Sequence, residues 1–236
     1  MEAAKFRIGG SDFVGVFATS SDRFVFSGRG LTSHSMKLLS DTLKVERHDI
    51  VISGSDLIGL FSRINSKGMV LTNLVLEHEI AAIKALNLDM NIGVLDSDLN
   101  AIGSNILAND KIAIINPDYS HTAALMIKDI LDVEVIKAET GGFKTIGANN
   151  ILTNKGLVIN NRTTDDEKSM LDEVTGFDSM RTTADTGALS VGLAAVANSN
   201  GVAAGDSTTG FELNRMVQAL EGQAKDYNPE KRIQAE

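Results

Sequence analysis

The residues that could carry out chemistry are few and scattered. The four histidines, His34, His48, His78 and His121, lie far apart, and none has the H-E-x-x-H spacing that sets two imidazoles on one helix face for a metal ion. Asp165-Asp166-Glu167 is the one run of acids that could be imagined as metal ligands or acid/base groups. Adjacent helical side chains point apart, and carboxylates in a first helical turn already have an electrostatic reason to be there. Gly28-Arg29-Gly30 and Gly205-Asp206-Ser207-Thr208-Thr209-Gly210 suggest phosphate loops. Neither completes a dinucleotide fingerprint, and no Gly-Lys-Ser/Thr occurs, so both are expected to be turns. The chain has no cysteine, which removes disulfides, thiolate metal sites and thiol nucleophiles. No catalytic residue, metal or cofactor is expected.

What is ordered in the sequence is a repeat. A glycine preceded by an aliphatic residue recurs as Gly15, Gly59, Gly103, Gly147 and Gly192, at steps of 44, 44, 44 and 45 residues. Self-similarity at this period marks an array or propeller. In the first unit Val14 to Thr19 is a candidate strand, Ser20-Ser21-Asp22 a turn and Phe24-Val25-Phe26 a second strand. Thr32 or Ser33 can cap a helix with Met36, Leu39 and Leu43 on one face, and Asp49 to Ile52 makes a third strand. Later helices show stripes at Ile80, Ile83 and Leu86, at Ala123, Met126, Ile127 and Ile130, at Met170, Leu171 and Val174, and at Leu213, Met216, Val217 and Leu220. Asn116-Pro117-Asp118 is expected to stop a strand and cap the helix after it.

The fifth unit lacks a third strand, while Lys5 to Ile8 is a strand without a unit. Pairing the two closes a ring and removes open sheet edges. The expected fold is therefore α/β, a five-bladed pseudo-fivefold α/β propeller closed by the N-terminal strand. Its first strands line the centre and its helices lie outside. Residues 1–222 form a single domain of five units of about 44 residues, and 223–236 a flexible C-terminal tail.

No run approaches the ~18 apolar residues of a membrane span, so a soluble, cytoplasmic monomer without membrane contact is expected. The net charge of −9 opposes broad docking on nucleic acid, whose affinity rests on lysine and arginine. Eight residues after each marker glycine, however, stand Arg23, Lys67, Lys111, Lys155 and Asn200. Four basic turn tips on one rim would form a positive collar for an acidic or phosphate-bearing partner.

The chain resembles the translation initiation factor 6 family from Phe6 to about Leu220. The resemblance rests on the five-unit frame, Leu57-Ile58-Gly59 with Asn65, Leu99-Asn100-Ala101-Ile102-Gly103 with Asn109-Asp110, Asn116-Pro117-Asp118, and Leu131-Asp132-Val133-Glu134-Val135. It implies the pentein fold. It also implies a non-enzymatic factor that binds the intersubunit face of the large ribosomal subunit, chiefly through a ribosomal protein near the sarcin-ricin loop and with little direct RNA contact. Bound there it blocks the small subunit, and a GTPase releases it. The family's contact positions fall on Leu60, Ser104 and Asn65, where many relatives carry Arg and Asn in place of Leu60 and Ser104; Arg23, Lys67, Lys111 and Lys155 of the collar complete the expected binding residues. A ring-shaped scaffold for some other protein is the alternative. The guanidino-group enzymes that share the pentein fold need a cysteine nucleophile, which this chain lacks.

Overall fold

The computed structural model describes residues 1–222; the segment expected as a tail lies outside the described residues. Strand β1 (Glu2–Phe6) comes first, and five units follow. The first has a 3-10 turn at Val14–Val16, then β2 (Ala18–Ser20), β3 (Phe24–Ser27), α1 (Ser33–Leu43) and β4 (Glu46–Asp49). The second has α2 (Ile58–Phe61), β5 (Ser62–Ile64), β6 (Gly68–Thr72), α3 (Glu77–Ala85) and β7 (Asn91–Leu95). The third has α4 (Ile102–Asn105), β8 (Ile106–Ala108), β9 (Ile112–Ile115), α5 (His121–Leu131) and β10 (Glu134–Lys137). The fourth has α6 (Ile146–Asn149), β11 (Ile151–Leu152), β12 (Leu157–Asn160), α7 (Asp165–Thr175) and β13 (Met180–Thr182). The fifth has α8 (Val191–Ala194), β14 (Ala195–Ala197), β15 (Gly201–Gly205) and α9 (Gly210–Glu221).

These strands make five separate three-stranded sheets among the described residues. In each, the unit's second strand is central, antiparallel to the first strand and parallel to the third. The fifth sheet takes its third strand from β1, which runs parallel to β15 from Glu2 beside Gly201 to Phe6 beside Gly205. The N-terminal strand thus completes the last unit, starting three residues and ending two residues earlier than expected. Ile8 has left the ladder because Gly9 and Gly10, both at positive φ, turn the chain back so that Ile8 bridges Ser11. The same turn, with Ser53 and Gly54 at positive φ, ends β4 at Asp49 and leaves Ile52 bridging Ser55.

Thr32, Ser120, Thr164 and Thr209 cap their helices, each side chain accepting from a backbone N–H three residues on. The cap of α5 is therefore Ser120, while Asn116 uses its side-chain oxygen on the N–H of Asp118 to shape the turn before it. Each helix packs across two sheets. Ala123, Ile127 and Leu131 of α5 are buried against Val70 and Leu95 of the second unit as well as Ala113 and Ile115 of their own. That double contact selects an i, i+4, i+8 stripe and leaves Met126 and Ile130 only half-buried. Val174 of α7 lies outside the core at 37% exposed.

Val14 to Thr19 was expected as one strand, but Gly15, like the other marker glycines, occupies a short helical turn that directly precedes the first strand. A Cβ on Gly15 would meet the carbonyl oxygen of Gly192 at 2.4 Å, on Gly192 that of Gly147 at 2.1 Å, and on Gly147 that of Gly103 at 2.3 Å. On Gly103 it would meet Gly59 at 1.7 Å, and on Gly59 it would meet Gly15 at 2.0 Å. The contacts return to their start through all five units. The first strands also touch in a cycle, β2 to β5 to β8 to β11 to β14 and back to β2. Five small sheets stand in a pseudo-fivefold arrangement with the first strands innermost.

Gly103→Ala is therefore expected to cost more than about 4 kcal/mol or to abolish folding, because backbone of two units must separate to admit one methyl group. Gly210→Ala, at a position with nothing within 4 Å of the added Cβ, is expected to change stability by less than about 1 kcal/mol. Urea unfolding of both variants checks the contrast.

Candidate interaction surface

Each innermost strand runs between two ends. A helical turn bearing the marker glycine lies at one, and a hairpin turn at the other. Leu60 and Ser104 directly follow Gly59 and Gly103, at the glycine end. Asn65, Lys67, Arg23, Lys111 and Lys155 belong to the turn end. A three-residue strand spans roughly 10 Å, so the structure does not bring the two groups of expected contact residues onto one surface.

At the turn end, side chains tie every unit to the next. Asn65 donates from Nδ2 to the carbonyls of Asn109 (3.1 Å) and Leu131 (2.8 Å), and Asn109 donates to Thr153 (3.0 Å). Asn198 donates to Ser21 (3.0 Å) and Leu43 (2.9 Å). Leu131 and Leu43 are the last residues of α5 and α1, so these amides also satisfy helix-end carbonyls that have no partner within their helix. The other two junctions begin at Ser21 and Thr153, whose side chains are too short for that span. There a basic residue crosses instead: Arg23 donates to the carbonyls of Ser66 (3.0 Å) and Asp89 (2.7 Å), and Lys155 donates to that of Ser199 (3.0 Å).

Most of the expected contact residues are engaged within the chain. Asn65 is 1% exposed, and its Oδ1 accepts from the N–H groups of Lys67 (2.9 Å) and Gly68 (2.8 Å). Every part of its amide is spent inside, so the side chain has no free group for a partner. Ser104 is buried too, at 6% exposed, and Leu60 is half-buried. The collar is narrower than the spacing implied: Arg23 and Lys155 span junctions, and Lys67 pairs with Asp132 at 2.8 Å. Lys111 alone of the four is exposed with its ammonium unengaged among the described residues. Inside the collar, Asp22 and Asp110 turn their carboxylates to Ser199 and Ser66, and Asn154 Nδ2 joins both, at 2.8 and 2.6 Å.

The chemically suggestive motifs resolve into structure. Asp56 accepts from the N–H groups of Arg29 (3.0 Å) and Gly30 (3.1 Å), while Asp12 accepts from Ser207 N–H (3.2 Å) and Oγ (2.9 Å). The amides that could have cradled a phosphate hold a carboxylate of the chain itself. Asp165 pairs with Arg181 at 2.6 Å, and Glu167 completes a capping box. His48 packs at a tilt against Phe24 and Phe26, with ring centroids 5.7 and 5.5 Å away, and His34, His78 and His121 are exposed. Among the described residues no cluster of His, Asp and Glu could hold a metal ion.

Reasoning from sequence missed three glutamate clamps, two of them buried (Glu79 and Glu212) and one half-buried (Glu167). Glu79 accepts from the N–H groups of Ser53 (2.7 Å), Gly54 (2.8 Å) and Leu76 (2.9 Å). Glu167 holds Gly141 (3.0 Å) and Thr164 (2.7 Å), and Glu212 holds Gly187 (2.9 Å), Thr209 (2.8 Å) and the hydroxyl of Thr183 (2.6 Å). Each fastens its own helix start to the loop that leads into the unit. They stand twenty residues after their marker glycines, where the first unit has Ser35, which donates to Arg7 O at 3.1 Å, and the third has Ala123. The repeat spacing was the available signal. Burial pushes the three carboxyls up, but the hydrogen-bond donors outweigh it and hold their pKa values below the usual glutamate range.

The comparisons with known proteins bear on the whole frame. A model of the eIF-6 family matches residues 3–219. The chain belongs to the eIF-6 family. It is 34% identical to translation initiation factor 6 of Picrophilus torridus, over 89% of this chain and 95% of the relative. Identity is 33% with translation initiation factor 6 of Thermococcus onnurineus, over 93% and 98%, and 35% with that of Pyrococcus horikoshii, over 89% and 94%. The chain is thus a translation initiation factor of the eIF-6 family, and no catalytic activity is indicated. Among the described residues no helix is long and apolar enough to cross a membrane.

Asn65→Ala strands two carbonyls and two N–H groups, and is expected to lower stability by about 1–3 kcal/mol in urea unfolding. Glu212→Gln is expected to cost a similar ~1–3 kcal/mol at pH 7. A folded pKa held below the unfolded value of 4.5 gives stability that is full above 4.5 and lost as pH falls through the folded value. The gap between Glu212→Gln and the unmodified protein should therefore close in melts taken from pH 6 down to pH 3.

Proposed function

We propose that this chain is an anti-association factor: it binds the large ribosomal subunit on its intersubunit face and keeps the small subunit away by occupying space. The observation that carries the proposal is the family match over residues 3–219. The structure supports it by offering a platform rather than a catalyst. Every junction between units is bonded at the turn end and packed glycine against carbonyl at the other. With the pseudo-fivefold cycle of contacts, we read the fold as a closed five-bladed propeller of the pentein type, acting as a cytoplasmic monomer.

Of the two ends, the glycine end fits a protein partner better. It carries half-buried Val16, Leu60 and Leu193 and, close by, Phe13 at 40% exposed, an apolar centre of the kind protein interfaces use. The turn end has spent most of its cations internally. Release needs outside help: at a Kd of ~1 nM and k_on of ~10⁶ M⁻¹s⁻¹ the complex lasts many minutes, and a GTPase acting on the bound factor supplies the exit.

Pelleting with separated ribosomal subunits tests this. Binding to large subunits only is expected, weakened at least about tenfold (~1.4 kcal/mol) by Leu60→Glu and unchanged by Lys111→Glu. The reverse pattern would move the contact to the turn end. No pelleting with large subunits at low or moderate salt would overturn the ribosomal function and leave a ring-shaped scaffold for another protein.

A further inference from the structure

The repeat is broken at one place on the outside of the second unit, and a cleft lies there. Twenty-three residues after the marker glycines stand Leu38, Ala82, Met126, Met170 and Arg215. Four of the five are large, half-buried side chains. Leu38, Met126 and Met170 pack against their cores, and Arg215 donates from Nε to the carbonyl of Arg181, on the third strand of the preceding unit, at 2.9 Å. These side chains close the gap between a helix and the unit before it. The methyl group of Ala82 leaves that gap open.

The space measures about 330 Å³, within the range of small-molecule sites. It lies between α3 and the residues that follow β4, and Ile50, Val51, Leu76, Ala82, Ile83 and Leu86 give it an apolar wall. Leu76 is a second departure at the same spot. Seventeen residues after the other marker glycines stand Thr32, Ser120, Thr164 and Thr209, each of which caps its helix. In their place α3 has no side-chain cap and presents a leucine that is 46% exposed at the edge of the cleft. Both departures, a small residue for a large one and an apolar residue for a cap, enlarge and grease the same cleft.

Of the Asp, Glu and Arg side chains that line it, only Arg29 is free among the described residues. Glu79 is consumed by the N–H groups of Ser53, Gly54 and Leu76, and Asp49 is paired with Arg47. The backbone N–H of Arg29 is held by Asp56, but its exposed guanidinium has no partner among the described residues. His78, also exposed, stands at the same rim. A guanidinium is a fixed fork of donors that meets a carboxylate in two hydrogen bonds. With Asp49 and Glu79 in the same wall, one negative charge is favoured over the two of a phosphate.

We propose that this cleft is a binding site for a small amphipathic carboxylate. Its aliphatic or aromatic body lies along Ile50, Val51, Ile83 and Leu86, where Ala82 makes room, and its carboxylate meets the Arg29 guanidinium at the mouth. The ligand joins the first and second units in the place that a side chain fills at the other junctions.

Titration of the isotope-labelled full chain with octanoate, followed by NMR, tests the site. Shifts centred on Arg29, Leu76 and Ala82 that saturate with a Kd of ~1 mM or tighter are expected. Ala82→Met installs the residue that the third and fourth units carry and suits an exposed helical position. It should leave the melting temperature no lower and weaken octanoate at least about tenfold by filling the cleft. Arg29→Met should weaken octanoate about threefold or more, a charge-assisted pair discounted for its exposure, and leave octanol unaffected. Octanoate binding unchanged in Ala82→Met would place the ligand elsewhere and overturn the proposal. Octanol binding as tightly as octanoate to the unmodified protein would overturn the recognition of a carboxylate. Shifts at the same residues on concentrating the protein alone would assign the cleft to a second copy of the chain and overturn the proposal as well.

Discussion

Five peptide backbones meeting without side chains set the geometry of this protein. Where Gly103 lies against the carbonyl of Gly59, the distance available to a Cβ is 1.7 Å, far inside any van der Waals contact. The same constraint repeats at each junction, so the innermost layer is made of backbone and its radius is set by backbone contact. Everything outward follows from that radius: first strands of two or three residues, central strands buried on both faces, and helices wedged across neighbouring sheets.

The tight centre also explains why polar groups concentrate at the rims. Backbone brought together without side chains presents carbonyls and N–H groups that must be paired. Asn65, Asn109 and Asn198 do this at three junctions, and Arg23 and Lys155 at the two where a serine or threonine stands in the asparagine's place. Long side chains and short amides thus solve the same spanning problem at equivalent junctions, from positions two residues apart. On the outer loops, Glu79, Glu167 and Glu212 do for the helix starts what the asparagines do for the turns.

Much of the architecture was legible because the repeat is written in residues that only one geometry tolerates. The glycine step located the units, and the missing third strand of the fifth unit located its supplier at the N-terminus. Strand ends were less legible, since Ile8 and Ile52 are apolar and β-prone, and only the positive-φ turns after them take them off the ladder. Whether a polar turn residue stays free was the least legible part. A polar residue in a turn has the same sequence signature whether it faces solvent, as Lys111 does, or is consumed by the neighbouring unit, as Asn65 is. That distinction depends on partners 44 and 66 positions away, which a local pattern does not contain.

The pairing of Glu2 with Gly201 has a temporal side. On a ribosome making this chain, units one to four can build their own sheets as they emerge, but β1 must wait until β15 has been made. During that interval the first strand of the protein is an unpaired edge, of the sort that recruits foreign strands. Its sequence, Glu-Ala-Ala-Lys-Phe, carries a charge at two of five positions and a single large apolar side chain. Such a strand is poorly suited to premature pairing, and it reaches its native place through the last-made sheet.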